Sequence, residues 1–246
     1  MTEPVEPKLP HAIALAWGLA EPPQRGPKRE LSLDAIIDAA IAIADAEGIG
    51  ALSMSRVASS LGFTTMSLYR YVTSKDDLLQ LMQNSAARVV VPPLDETQGW
   101  REALREWFDA LVGAYRKHPW TLDIPVSGVP MMPTALVIVD WAMRAMRDLP
   151  LDPGEKIEVL LLLTSYARAT AQLERDLTRA GENATMGAES TAALTEVVSE
   201  EAFPYLFPLI RDGVYAGGDP ADFEYETDML FGLERILDGI ESYTSR

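Results

Sequence analysis

Apolar positions along the chain recur at the 3.6-residue period of helices, and no segment shows the apolar–polar alternation of a half-buried strand. Leu33, Ile36, Ile37, Ala40, Ile41 and Ala44 share one face of a helix that Ser32 can cap and Gly48 can end. Val57, Ala58 and Leu61 predict a short second helix that starts at Ser53 or Ser55 and stops at Gly62. A third begins after Thr64 and runs to about Tyr71, with Leu68 and Val72 inward. Ser74 caps a fourth, in which Asp76 and Asp77 sit at the positive end of the helix and Leu78, Leu79, Leu81 and Met82 supply the apolar face. Further on, helices are predicted at about 100–117, 134–148, 153–179, 191–201 and 222–243, with polar loops at 181–187 and 213–220. The fold class is all-α.

Breaks in the pattern divide the chain into three. Residues 1–30 hold Pro4, Pro7, Pro10, Pro22, Pro23 and Pro27 and end in the basic run Arg25, Lys28, Arg29, so they read as a flexible arm. Pro92 and Pro93, followed by a shift toward acid, place a boundary near residue 90, between a head at 31–90 and a larger helical domain at 91–246. A content of 48% hydrophobic and 24% charged residues is that of an ordinary globular protein. There is no cysteine, and His11 and His118 are the only histidines, so neither a disulfide framework, a metal centre nor a cofactor is expected. The apolar stretch at Thr134 to Met143 contains Asp140 and falls short of the roughly 18 residues a membrane span needs. His11 to Ala20 ends in the small-x-small tripeptide Gly18-Leu19-Ala20, but its upstream flank carries Glu3 and Glu6 against Lys8, the wrong charge for a secretory signal. A cytoplasmic protein is expected.

A net charge of -16 argues at first against a polyanionic partner, because phosphate binding is driven by Lys and Arg. The distribution reverses that argument. From Val89 onward 27 acidic residues stand against 13 basic, whereas residues 1–88 hold 10 and 8. Between Gly48 and Lys75 there are Arg56, Arg70 and Lys75 and no acid at all. That island coincides with the two short helices joined by Leu61-Gly62-Phe63-Thr64, a helix-turn-helix pattern.

Such a pattern alone also occurs as plain packing, but the residues here say more. The run Leu52-Ser53-Met54-Ser55-Arg56-Val57-Ala58-Ser59-Ser60-Leu61-Gly62-Phe63-Thr64-Thr65-Met66-Ser67-Leu68-Tyr69-Arg70-Tyr71-Val72-Thr73-Ser74-Lys75-Asp76-Asp77-Leu78-Leu79 closely resembles the N-terminal domain of the tetracycline-repressor-like (TetR) family. The resemblance implies a homodimeric transcriptional regulator, most often a repressor, that grips a double-stranded DNA operator and is released by a small hydrophobic effector such as a drug, antibiotic or metabolite. A recognition helix presents its N-terminal residues to base edges, which singles out Thr64, Thr65, Met66, Ser67 and Arg70, with Arg70 suited to a bidentate contact with guanine. By the same resemblance Tyr69 contacts phosphate, and Lys75 matches the family lysine that meets a phosphate at a helix start. Tyr71 is either a phosphate donor or a core residue. Ser53, Ser55 and Arg56 are either backbone-positioning contacts or a cap and a solvated charge. Arg25, Lys28 and Arg29 are either a minor-groove arm or a solubilising linker.

In the second domain, Tyr115-Arg116-Lys117-His118-Pro119-Trp120 looks like the segment closing the fifth helix of the tetracycline-repressor type of ligand domain. The resemblance implies a dimer built as a four-helix bundle from helices at about 153–179 and 222–243. The stripes Leu160, Leu163, Ala167, Ala171 and Phe231, Leu233, Ile236, Leu237, Ile240 fit either that bundle or an intramolecular core. Effector-pocket candidates are Trp107, Trp120, Met131, Met132, Trp141 and Tyr166, with Pro125 to Pro133 as an irregular rim. His118 has no match to the histidine with which tetracycline repressors hold a magnesium complex, so neither tetracycline nor a metal is expected. Two other classes compete. An enzyme would need a nucleophile elbow, a phosphate loop, a Cys nucleophile or a His-Glu-x-x-His helix, and none is present. A ligand-binding or interaction protein without DNA binding leaves the acid-free island unexplained.

Overall fold

Within the stretch 1–30 that the sequence predicts as a flexible arm, residues 11–16 form a helix. The computed structural model describes residues 9–20, 31–126, 128–181, 193–194, 196–215 and 225–245. Within the first of these, α1 (His11–Ala16) buries Ala12 completely and Ile13 almost so, and packs chiefly on α5 (Lys75–Ala86). The prolines mislead because they flank the segment rather than interrupt it. Pro10 stands at the N-cap, where a missing N–H costs nothing, and the apolar residues after it find a core to enter.

Hydroxyl side chains start each helix of the head. Ser32 precedes α2 (Leu33–Glu47), Ser53 precedes α3 (Met54–Leu61), Thr64 precedes α4 (Thr65–Leu68) and Ser74 precedes α5. Each side-chain oxygen accepts a backbone N–H three residues on, at 3.1, 3.2, 3.3 and 3.0 Å respectively. Such caps stabilise by about 1 kcal/mol apiece. Short helices need them, since three or four turns cannot offset the entropy of nucleation. Regular α-helix ends at Leu68 rather than near Tyr71, because the next amides fold back on one carbonyl: Tyr71 and Val72 both donate to Leu68 O, at 2.8 and 3.1 Å.

The apolar faces of these helices meet in one core of Ile36, Ala40, Leu52, Val57, Leu68, Val72, Leu78 and Met82. Each large side chain taken fully from water there contributes roughly 1.5–3 kcal/mol. After the head come α6 (Trp100–Lys117), a 3-10 turn (Pro119–Asp123), α7 (Pro133–Ala145) and α8 (Pro153–Gly181). The predicted bounds of α6 hold, and α7 stops short of Asp148 as the chain bends to bury Met146 and Leu149 ahead of Pro150. Two further helices are α9 (Phe207–Arg211), which the periodicity did not predict, and α10 (Tyr225–Thr244). Of the helix predicted at 191–201, residues 193–194 and 196–197 are helical and 198–201 are not, while 191, 192 and 195, both predicted polar loops for the most part, and the start of the last predicted helix lie outside the described residues. Among the described residues there is no strand.

The chain parts into two compact units, 1–168 and 169–246, the division falling within α8. In the first unit Trp120 and Met132 pack into the same core as α2, α3 and α5. In the second unit Ala171, Ile210, Met229, Leu233, Leu237 and Ile240 are buried.

Candidate nucleic-acid interface and effector domain

The turn between α3 and α4 depends on Gly62, whose φ of 75° and ψ of 29° put it in the left-handed region that a side chain resists. Its amide bonds to Ser59 O at 3.1 Å while the Phe63 amide reaches Ala58 O at 2.9 Å, so the freed carbonyls of α3 are satisfied. Phe63 then packs on the core. The chain is thereby turned so that α4 buries Leu68 and offers its other faces to solvent.

On that outer surface Met66 is 74% exposed, Tyr69 and Arg70 are exposed, and Thr65 and Ser67 are half-buried. Arg70 makes no hydrogen bond or ion pair among the described residues, and neither does Lys75, which is exposed at the first position of α5. Thr64 acts as the cap of α4, and its hydroxyl lies 3.0 Å from that of Ser67. Ser53 caps α3 and contacts the Ser55 hydroxyl at 3.2 Å. Arg56 pairs with Glu47 at the end of α2, a surface pair worth at most about 1 kcal/mol, so it leaves the arginine available. Asp77, whose charge would repel a phosphate at the start of α5, is turned back onto the Thr73 amide at 3.1 Å and the Thr73 hydroxyl.

Tyr71 differs from its neighbours. Its hydroxyl donates to Leu31 O at 2.6 Å and its ring packs on the core, which occupies the single donor a phosphate contact would need. Tyr71 therefore anchors the chain entering α2. The basic run Arg25, Lys28, Arg29 lies outside the described residues.

The six effector-pocket candidates fall on several elements. Trp120 is 2% exposed and belongs to the core of the head, where its Nε1 donates to Asp45 Oδ1 at 2.7 Å. Met132 packs on the same core. Met131 is half-exposed, and Trp141 is buried on α7. Trp107, buried on α6, donates from Nε1 to Ile138 O at 2.9 Å and so fastens α6 to α7. Tyr166 of α8 stacks on Phe108 of α6 with ring centroids 5.6 Å apart.

Several residues that the sequence did not single out hold this region together. Asp45, near the end of α2, also receives His118 Nδ1 at 2.8 Å on the oxygen that Trp120 uses. The guanidinium of Arg168 on α8 donates to Leu122 O at 2.5 Å and Ile124 O at 3.0 Å, clamping the turn that carries Trp120. Beside it the Tyr115 phenol is pushed above its ordinary range by burial, a rise that the Arg168 charge and hydrogen bond partly oppose. No helical period announces these contacts, because each joins residues more than 40 positions apart.

Residues 36–82 match the family of bacterial regulatory proteins of the tetR type, and residues 92–244 match the tetracyclin repressor-like C-terminal domain. The HTH-type transcriptional repressor DrrR1 of Streptomyces coeruleorubidus is 34% identical over 239 residues, covering 95% of this chain and 86% of its own. The HTH-type transcriptional repressor Rv1353c of Mycobacterium tuberculosis is 27% identical over 224 residues, 87% of this chain and 82% of its own. Among solved structures, ActR of Streptomyces coelicolor in complex with actinorhodin superposes with a TM-score of 0.74 at 27% identity, over 89% of this chain and all of that one. ActR in complex with (S)-DNPA gives 0.70 at 26%, over 88% of this chain and all of that one. With a capped helix-turn-helix head, a matching helical C-terminal domain and a relative this similar along nearly its whole length, the chain belongs to the TetR family.

Proposed function

We propose that the protein is a transcriptional repressor that holds a palindromic DNA operator as a homodimer and lets go when a small hydrophobic effector binds. The observation that carries this reading is the outer surface of α4 and the two residues after it, where Met66, Tyr69 and Arg70 stand exposed behind a capped turn within an acid-free stretch. Thr65, Met66, Ser67 and Arg70 face base edges in this reading, and Tyr69 and Lys75 take phosphates. Thr64, Ser53, Ser55 and Arg56 position the backbone, and Arg25, Lys28 and Arg29 supply a basic segment beside the head. Residues 31–90 form the DNA-binding part and 91–246 the part that binds effector and dimerises.

A palindromic operator requires two copies. The long helices supply apolar surface for this that a single chain leaves open: Ile157, Leu161, Leu162, Leu173 and Leu177 on α8 and Leu230 and Phe231 on α10 are exposed, while Leu163, Ala167, Leu233 and Leu237 of the same helices are fully buried within the chain. Release works by population shift. An effector must bind the DNA-incompetent shape more tightly, since equal affinity for both shapes shifts nothing. The Asp45–Trp120–His118 junction is where movement of the turn after α6 reaches α2.

The test is fluorescence-anisotropy titration of the purified protein with DNA flanking its own gene, across a salt series and with actinorhodin and other hydrophobic antibiotics added. Saturable, salt-sensitive binding that outcompetes randomised DNA and is reversed by a compound is the expected result. Equal affinity for operator and randomised DNA at low salt overturns it.

A further inference from the structure

We propose that α1 and Trp17 form a strap that ties the lead-in of α7 to α5, so that the shape of the segment before α7 is felt by the DNA-binding head. The regulatory half of this inference rests on the function proposed above. Residues 9–20 lie outside both stretches that match the family models, 36–82 and 92–244.

A six-residue helix has no stability of its own. α1 exists because Ala12 and Ile13 are buried, with Ala12 in the core that contains Leu78, Leu81 and Met82 of α5. Its end is fixed with equal care. Gly18 takes a φ of 66°, and the amides of Gly18 and Leu19 return to Leu15 O and Ala14 O at 3.0 and 2.8 Å. The chain reversal leaves Trp17 at one defined place, from which its indole N–H donates to Met131 O at 3.0 Å across 114 residues of sequence.

A packing contact and a second hydrogen bond hold the same short stretch. Met132 packs on the core of the head, and Asn84 near the end of α5 accepts the Thr134 amide at 3.0 Å, capping the first turn of α7. Residues 131–134 are therefore held from α1, from the core and from α5. An indole N–H can only donate, so the Trp17 bond is lost as soon as the Met131 carbonyl turns away. A change of shape in 128–132 thus either breaks the strap or pulls on α5, the helix that begins with Lys75.

Hydrogen–deuterium exchange on the full-length protein decides the matter. Trp17→Phe keeps an aromatic ring and removes the donor, and Asn84→Ala removes the second tie from the α5 side; thermal unfolding confirms that both variants are folded. In the absence of DNA, the peptide covering 128–136 is expected to exchange about fivefold faster in either variant, the effect of one lost hydrogen bond on a local opening equilibrium, while peptides from α3 stay unchanged. Unchanged exchange at 128–136 in Trp17→Phe overturns the strap. With operator DNA added, the wild type is expected to gain protection at 128–136 and Trp17→Phe to gain less than half as much. Equal protection in both overturns the coupling while leaving the strap. If the wild type binds no DNA, the coupling falls with the function it rests on, and the DNA-free comparison still decides the strap.

Discussion

Arg70 and Tyr71 are adjacent and chemically similar in reach, yet the structure gives them opposite work. Tyr71 spends its hydroxyl on Leu31 O inside the chain, whereas Arg70 makes no hydrogen bond or ion pair among the described residues. Replacing Arg70 by Ala is expected to weaken operator binding by about 1–3 kcal/mol, roughly 5- to 150-fold, and to leave binding to randomised DNA much less affected. Lys75→Ala is expected to weaken both equally and to lower the slope of log affinity against log salt by about 1. Anisotropy titrations at several salt concentrations separate the two patterns. A mutant of Arg70 that lost affinity for all sequences alike would move it from reading bases to neutralising phosphate.

At the scale of elements, the turn that carries Trp120 joins two parts of the chain that composition separates. Trp120→Phe keeps most of the buried ring and removes the donor to Asp45, so it is expected to cost about 1–3 kcal/mol. The loss would appear as a lower thermal midpoint and a changed effector concentration for release. This junction also shows where sequence reasoning succeeds and where it stops. The head was legible because its signals are local: a hydroxyl before each helix, a glycine after α3, apolar residues every three or four positions. α1 was missed because six residues are too few to establish a period and its prolines read as disorder. The bond of Trp120 to Asp45 was not legible because an aromatic residue in a row does not announce its partner, which here lies 75 positions away. The candidate DNA-facing residues were readable because they fall within one short continuous stretch of sequence; the contacts of α7 and of the turn after α6 with the head are all long-range and had no sequence signal.

At the scale of the whole molecule, two properties can be tested together. Phe231 is 64% exposed on α10, so placing a charge there should disfavour any assembly that buries it. In sedimentation equilibrium the wild type is expected to be dimeric and Phe231→Glu to be folded and monomeric, and a dimeric variant would place the interface elsewhere. Stability against alkali follows from Tyr115. Burial raises its folded pKa above the ordinary value of 10.0, so its contribution is complete below that value and is lost as pH rises through the higher folded one. The wild type should therefore lose stability steeply above about pH 10, whereas Tyr115→Phe, less stable at neutral pH for want of its bond to Arg168, should show a shallower decline in denaturant midpoints.

The same Asp45 carboxylate that gathers Trp120 and His118 gives the protein an optical gauge of its own state. An indole in a dry, packed core emits at shorter wavelength than one in water, and Trp120 sits on the seam between α2 and the turn after α6, which the release proposed above would flex. Opening that seam lets solvent reach the ring and carries its emission to the red, so the passage between the two shapes can be followed in the unlabelled protein, with Trp120→Phe as the blank that identifies which of the five tryptophans reports.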